Sequence, residues 1–260
     1  RKWGENIVLT SGFTGIRNQV LSNLFGDHYS RNLGLYSQYE YSFHKLDITG
    51  GIRLEYFEQD GKQGDSKFYF GDDAAAVSIP FYPILRAGAH YELRKYTHLR
   101  ASFGQGIRYA SVAERYTTTN VGALNVFASP GLTREKGWAA EIGLKQGVKI
   151  GSKWKGMIDV AAFVIQYNDM MEFTFGIFNP ATSERLDPNS PDYNQQFIDV
   201  LFSGYNIEQM FGFSAENAES ARIIGAELSF NSQGKIGEVE LTSLIGYTYM
   251  LPKTLNSDSA

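Results

Sequence analysis

The chain has 260 residues, a formal net charge of −4 and no cysteine, which excludes disulfides, zinc–thiolate sites and thiol catalysis and gives no electrostatic reason to expect nucleic acid. No run approaches the roughly 18 apolar residues of a transmembrane helix, although a barrel strand would not announce itself that way. Aromatics make up 14%, with 16 Tyr, 18 Phe and 27 Gly against only 7 Pro, a balance that points to many strands and an all-β architecture.

In chain order, nine segments alternate apolar and polar residues: 5–13, 31–43, 45–58, 82–94, 97–109, 137–149, 153–168, 219–232 and 237–250. Successive side chains of a strand point to opposite faces, so each segment has one apolar and one polar face. In 31–43, Leu33, Leu35, Tyr39 and Tyr41 alternate with Gly34, Gln38, Glu40 and Ser42. In 45–58, Leu46, Ile48, Ile52 and Leu54 oppose Asp47, Thr49, Arg53 and Glu55. The pair 82–94 and 97–109 is the clearest hairpin. Leu85, Ala87, Ala89, Leu99, Ala101 and Phe103 fall on one phase; Arg86, His90, Arg100 and Arg108 fall on the other.

The connections alternate as well. Residues 14–30, 59–81, 110–136 and 169–218 form long connections, whereas Phe43–Lys45, Lys95–Thr97, Ile150–Lys153 and Gln233–Ile236 are tight. Long loops at one end and short turns at the other are the habit of outer-membrane barrels. Strands of about 13 residues, tilted about 40°, rise roughly 33 Å, enough to cross a bilayer core. The alternative, a large soluble antiparallel sheet, also alternates but explains neither strand length nor loop sorting. The predicted fold is therefore all-β, an antiparallel up-and-down transmembrane β-barrel without substantial helix. The predicted lipid-facing residues are Leu85, Ala87, Leu99, Ala101 and Phe103. The predicted lumen-facing residues are Arg53, Arg86, His90, Arg100 and Arg108. The apolar stretches within 169–218 are too apolar for a solvated loop, and continuation of the seventh and eighth strands above the membrane is favoured over direct ligand contact.

Chemistry was sought in the same residues. His28, His44, His90 and His98 lack metal-ligand spacing and read as wetted polar residues. Gly104–Tyr109 imitates the start of a dinucleotide fingerprint but lacks its third glycine and helix. Asp60, Asp65, Asp72 and Asp73 do not have calcium-loop spacing. No nucleophilic triad assembles, so no enzyme and no cofactor is expected.

The segments "PILRAGAHYELRKYTHLRASFGQGIRYASVAERY", "NVFASPGLTREKGWAAEIGLKQG" and "ARIIGAELSF" with "GKIGEVELTSLIGYTYM" resemble the β-barrel of TonB-dependent outer-membrane receptors, particularly those of Bacteroidetes-type bacteria. The matching blocks are Arg100–Tyr116, Asn125–Gly147 with Glu135, Trp138 and Glu141, and Ala221–Phe230 with Gly225 and Glu227. The resemblance implies active transport through a 22-stranded barrel in the bacterial outer membrane. Its N-terminal plug engages an inner-membrane energy-transducing protein, and a nutrient is captured from outside. The plug, its box and a closing aromatic C-terminal strand are not visible, and nine strands is an odd count. Residues 1–260 are accordingly expected to be an internal part of a single barrel domain, about 9 of the 22 strands. Opening at Arg1–Lys2–Trp3 without a signal pattern agrees with a mature or excised fragment. The expected partners are outer-membrane lipid, the plug and TonB complex, and an extracellular nutrient such as a ferric siderophore, a corrin or an oligosaccharide. Other readings are a passive porin, a structural or adhesion barrel, or a soluble β-rich glycan-binding module.

Overall fold

A computed structural model describes residues 6–60, 77–122, 124–151 and 153–255, without side-chain detail at 77–80, 150 and 218. Nine long strands follow the alternating segments: β1 (Ile7–Val20), β2 (His28–Phe43), β3 (Leu46–Gln59), β4 (Val77–Arg94), β5 (Thr97–Arg108), β8 (Glu135–Ile150), β9 (Trp154–Ile177), β10 (Phe211–Ile236) and β11 (Val239–Leu255). Two short strands, β6 (Thr119–Val121) and β7 (Leu124–Phe127), lie in the β5–β8 connection. Each long strand pairs antiparallel with the next, giving the expected meander in one sheet. Among the described residues β1 pairs only with β2 and β11 only with β10, so the sheet is not closed.

The two-residue turns are built on left-handed residues: His44 (φ 53°), Tyr96 (φ 71°) and Gly237 (φ 63°). That conformation lets a tight turn follow the strand twist. The last turn falls at Gly237–Glu238 rather than at Gln233–Ile236, because pairing continues to Ile236↔Val239 and glycine accepts the left-handed position.

The long connections are shorter and more ordered than predicted. β1 and β2 pair as far as Val20↔His28, which reduces the 14–30 connection to residues 21–27. Beyond a membrane both sheet faces are wet, so the ladder runs on where hydrophobic alternation has stopped. β9 and β10 do the same, pairing from Gly234↔Trp154 to Phe211↔Ile177 with bulges near Asn217 and Glu219. This is the strand continuation favoured for 169–218. Residues 61–76 of the 59–81 connection, including Asp65, Asp72 and Asp73, lie outside the described residues.

One expectation is corrected in the loops, that strands pair only with their sequence neighbours. The helices there are short, α1 (Val112–Tyr116), α2 (Tyr193–Phe202) and α3 (Ile207–Met210), in keeping with a fold without substantial helix. The apolar face of α2 packs Val200 with Leu186 and Met210, flanked by Phe197, Leu201 and Ile177. Burial in that small core accounts for part of the apolar content of the connection, whereas Phe173, Phe175, Ile198, Phe202 and Ile207 stay exposed. In addition, β7 pairs parallel with β10, Asn125↔Gly212 to Phe127↔Ser214, so pairing is not confined to sequence neighbours. Asn125 secures this by donating to the Phe211 carbonyl at 2.9 Å.

Candidate functional site

Register decides which side chains share a face. Residues directly opposite in an antiparallel ladder lie on the same side. Leu85↔Ile52, Ala87↔Phe103, Ala89↔Ala101 and Tyr91↔Leu99 therefore form one apolar surface, which β8 continues through Leu99↔Leu144, Ala101↔Ile142 and Phe103↔Ala140. It stays solvent-accessible: Leu85 is 45% exposed, Phe103 37% and Ile142 55%. Among the described residues this face on nine strands has no packing partner, which is how a lipid-facing wall differs from a core.

The opposite face brings the predicted polar residues together and pairs most of them. Arg53 donates to Glu55 and, at 2.9 Å, to Thr14 Oγ1. Arg100 bridges β5 to β8 and β9, contacting Glu141 at 2.9 Å and also Asp159, while Lys145 lies 3.6 Å from Asp159. Gly143 directly opposes Arg100, and a Cβ there would come 2.7 Å from the guanidinium carbon, so the missing side chain provides the seat of the arginine. His90 sits 3.4 Å from Asp47 and stacks on His98 at 5.1 Å between centroids. Arg86, opposite Gly51 and Gly104, has no carboxylate partner among the described residues. It opens into a hollow of about 670 Å³ that is also lined by Tyr36, Arg53, Glu55 and Ile84. The hollow lies beside Arg86 and Arg53 of the polar phase.

At the long-loop end Arg108 makes a fork. Its Nε and Nη2 each donate to Glu135 at 2.7 Å, and Nη1 donates to Glu114 at 2.8 Å. Ser111 caps α1 in a reciprocal box with Glu114. The hydrogen bond from Arg108 holds the Glu135 carboxyl below the usual range. Burial pushes Glu114 up, but bonds from Ser111 and Arg108 outweigh it and leave that carboxyl lowered as well.

Three groups at this end were not found from sequence. Tyr109 stacks on Phe57 at 4.2 Å and is pushed up to about 12 by burial, with help from the negative charge of Glu55. Arg134 lies over the Tyr82 ring at 4.2 Å. His28, expected to be wetted, is instead 2% exposed. Its Nε2 donates to the Phe25 carbonyl at 2.8 Å, its Nδ1 lies 2.9 Å from Asp60, and its ring stacks on Tyr116 at 4.1 Å. The Tyr116 hydroxyl donates to the Asp60 carbonyl at 2.9 Å, so one cluster ties the β1–β2 turn, the end of β3 and α1 together. The residues involved are far apart in sequence and show no local motif. Among the described residues no His, Cys, Asp or Glu group could hold a metal ion.

Long antiparallel strands, an apolar face unpartnered among the described residues and a charge-paired polar face define the wall of a transmembrane-type β-barrel. The model of the TonB dependent receptor-like β-barrel matches residues 3–260, and the chain belongs to that family. No curated protein matches the sequence. Among solved structures, the chain is similar to the FrpB iron transporter from Neisseria meningitidis (F3-3 variant), with a TM-score of 0.61 at 14% identity, covering 98% of this chain and 34% of that one. It is similar to the Serratia marcescens hemophore receptor HasR, solved with its hemophore HasA and heme, with a TM-score of 0.67 at 12% identity, covering 94% and 38%. It is also similar to the copper transporter OprC, with a TM-score of 0.59 at 15% identity, covering 98% and 37%. The chain thus spans little more than a third of each of these proteins, and at such identities the likeness concerns the fold.

Proposed function

We propose that this chain forms part of the barrel wall of an outer-membrane receptor for active, TonB-dependent uptake of a scarce nutrient. The observation that carries the reading is the division of labour between the two faces. Apolar residues without a packing partner among the described residues cover one side of nine strands, while arginines on the other are seated on glycine or held by carboxylates. On this reading Leu85, Ala87, Leu99, Ala101 and Phe103 meet lipid. Arg53, Arg86, His90, Arg100 and Arg108 meet the lumen, where a plug and the passing nutrient would lie. The role is binding and passage, not catalysis. Iron, heme and copper are the cargoes named for the similar structures, and a metal complex such as a ferric siderophore is the leading class here, ahead of a corrin or an oligosaccharide.

The test is growth of the source cell with the nutrient limiting. Uptake is expected to require both the full-length receptor and the energy-transducing inner-membrane protein. Uptake that persists without the latter would indicate a passive pore. Recovery of the full-length protein in the soluble fraction would indicate a soluble module.

A further inference from the structure

We infer that the lumen wall carries a shelf for an organic anion with an apolar body, its acidic group at Arg86 and its body against β9, β10 and β11. This rests on the uptake reading and names the class of cargo. Register builds the shelf. Arg86 opposes Gly104, Gly104 opposes Ala139, Ala139 opposes Ile165 and Ile165 opposes Ile223, so β4, β5, β8, β9 and β10 share one row on the polar phase. Neighbouring strands lie about 4.8 Å apart, which puts Arg86 and Ile165 about 14 Å from each other at one level of the wall. Only Gly104 and Ala139 stand between them, and neither has a side chain beyond a methyl group.

The far end of the shelf is apolar, although it lies on the polar phase. There the row continues from Ile223 to Pro252. The next row toward the tight turns runs Phe163, Gly225 and Met250, and the next toward the long loops runs Tyr167, Ala221 and Thr254. Across β9, β10 and β11 these rows hold no charged side chain, and on β8 they meet only Glu141, which Arg100 engages at 2.9 Å. A Cβ on Gly225 would collide with the Phe163 ring and one on Gly137 would touch that of Tyr167, so each ring leans over the glycine opposite it and floors the shelf. The register of β9 with β10 is the same above their bulges as below, Asn217↔Met171 after Ala221↔Tyr167. The same face therefore continues upward through Phe173 and Phe175, which stay exposed. An apolar strip that starts among the long loops is entered from that side. Arg86 supplies the other half of the chemistry: it has no carboxylate partner among the described residues and faces Gly51 and Gly104. A carboxylate on an apolar body satisfies both ends at once, through charge-assisted hydrogen bonds and through apolar surface removed from water. A neutral oligosaccharide satisfies neither. A plug side chain bearing the same carboxylate is the competing occupant, and it would keep a free anion out.

The probe is biphenyl-4-carboxylate, a rigid apolar body with one acid, and its uncharged twin is biphenyl-4-carboxamide. Binding of each to the folded full-length receptor in detergent is measured by equilibrium dialysis, against the same detergent without protein. The receptor is expected to bind the carboxylate at least about 10-fold more tightly than the amide, and Arg86→Ala to remove that preference, since a charge-assisted hydrogen bond contributes that much. Ile223→Asn is expected to weaken both probes about 5-fold and to keep the preference. Lys155→Gln, on the same phase at the tight-turn end, is expected to change neither. Equal affinity of the parent and Arg86→Ala for the carboxylate overturns the proposal, as does unchanged affinity in Ile223→Asn. A parent that binds neither probe also overturns it, and is the result that a plug carboxylate seated at Arg86 would give. A shift in mobility between heated and unheated samples on gels shows that each variant is folded. Nutrient-limited growth separates the two levels. Uptake that persists without the energy-transducing protein refutes the transport reading itself. Energy-dependent uptake, with parent and variants binding the probes alike, removes the shelf alone.

Discussion

Ala87 and Arg86 are adjacent in β4 and stand on opposite phases of the sheet, so on the uptake reading they belong to different solvents. An arginine on the lipid face near the midplane costs roughly 2–4 kcal/mol, whereas one in the lumen keeps water or a carboxylate. Ala87→Arg is therefore expected to impair assembly of the full receptor, and Arg86→Ala to assemble normally, as read by heat-modifiable mobility. Gly225 shows a second residue-scale constraint. A Cβ there would come 2.7 Å from the Tyr249 carbonyl oxygen and 2.4 Å from the Phe163 ring. The carbonyl belongs to the β11 ladder and has no freedom to retreat. Gly225→Ala is expected to cost about 1–3 kcal/mol of overpacking, seen as a lower thermal unfolding midpoint of the folded barrel.

At the scale of elements, the ladder does more than cross a membrane. β9 and β10 carry their pairing on to Ile177↔Phe211 and give α2, α3 and β7 something rigid to pack on. α1, only five residues long, depends on its cap and on Arg108. Because Glu114 and Glu135 titrate lower when folded than when free, they contribute stability that is present above the ordinary glutamate value of about 4.3 and lost as the pH falls through their depressed values. The protection of the amides of residues 111–116 against hydrogen exchange, corrected for the pH dependence of intrinsic exchange, is expected to be constant from neutral pH to about 5 and to fall below about 4. Arg108→Gln should move that loosening to higher pH. A profile unchanged by the substitution would show that the fork does not hold the helix. Arg115 adds an anchor of another kind, donating to the Pro130 carbonyl at 2.8 Å and to that of Leu132 while fully buried.

For the molecule as a whole, the meander places every long connection at one end and every tight turn at the other. On the uptake reading the long end faces the medium. An epitope inserted at Ser190 of the full receptor is expected to be labelled on intact cells, and one at Gly237 only after permeabilisation. The reverse pattern would invert the orientation. The free edges at β1 and β11 set the other large-scale condition. A sheet edge carries unpaired backbone groups that hydrocarbon does not tolerate, so this wall requires further strands beside it when it spans a membrane.

The nine strands, their two phases and the alternation of long and short connections were legible in the residues because period-two patterning is imposed by two different surroundings, and each residue records its own side locally. Leu85 through Ala89 and Arg86 through His90 carry that information without reference to any distant part of the chain. The continuation of β9 and β10 was legible too, because its stretches are too apolar for a solvated loop, but the turn at Gly237 and the extension of β1 to Val20 were not. Where both faces are wet, backbone pairing continues without leaving a hydrophobic signature. The contacts of His28 with Asp60 and Tyr116, the parallel docking of β7 on β10 and the row that joins Arg86 to Ile223 were set only by the tertiary structure. Each joins residues more than 30 positions apart, and a long-range contact depends on register and loop closure, which no local stretch of sequence contains.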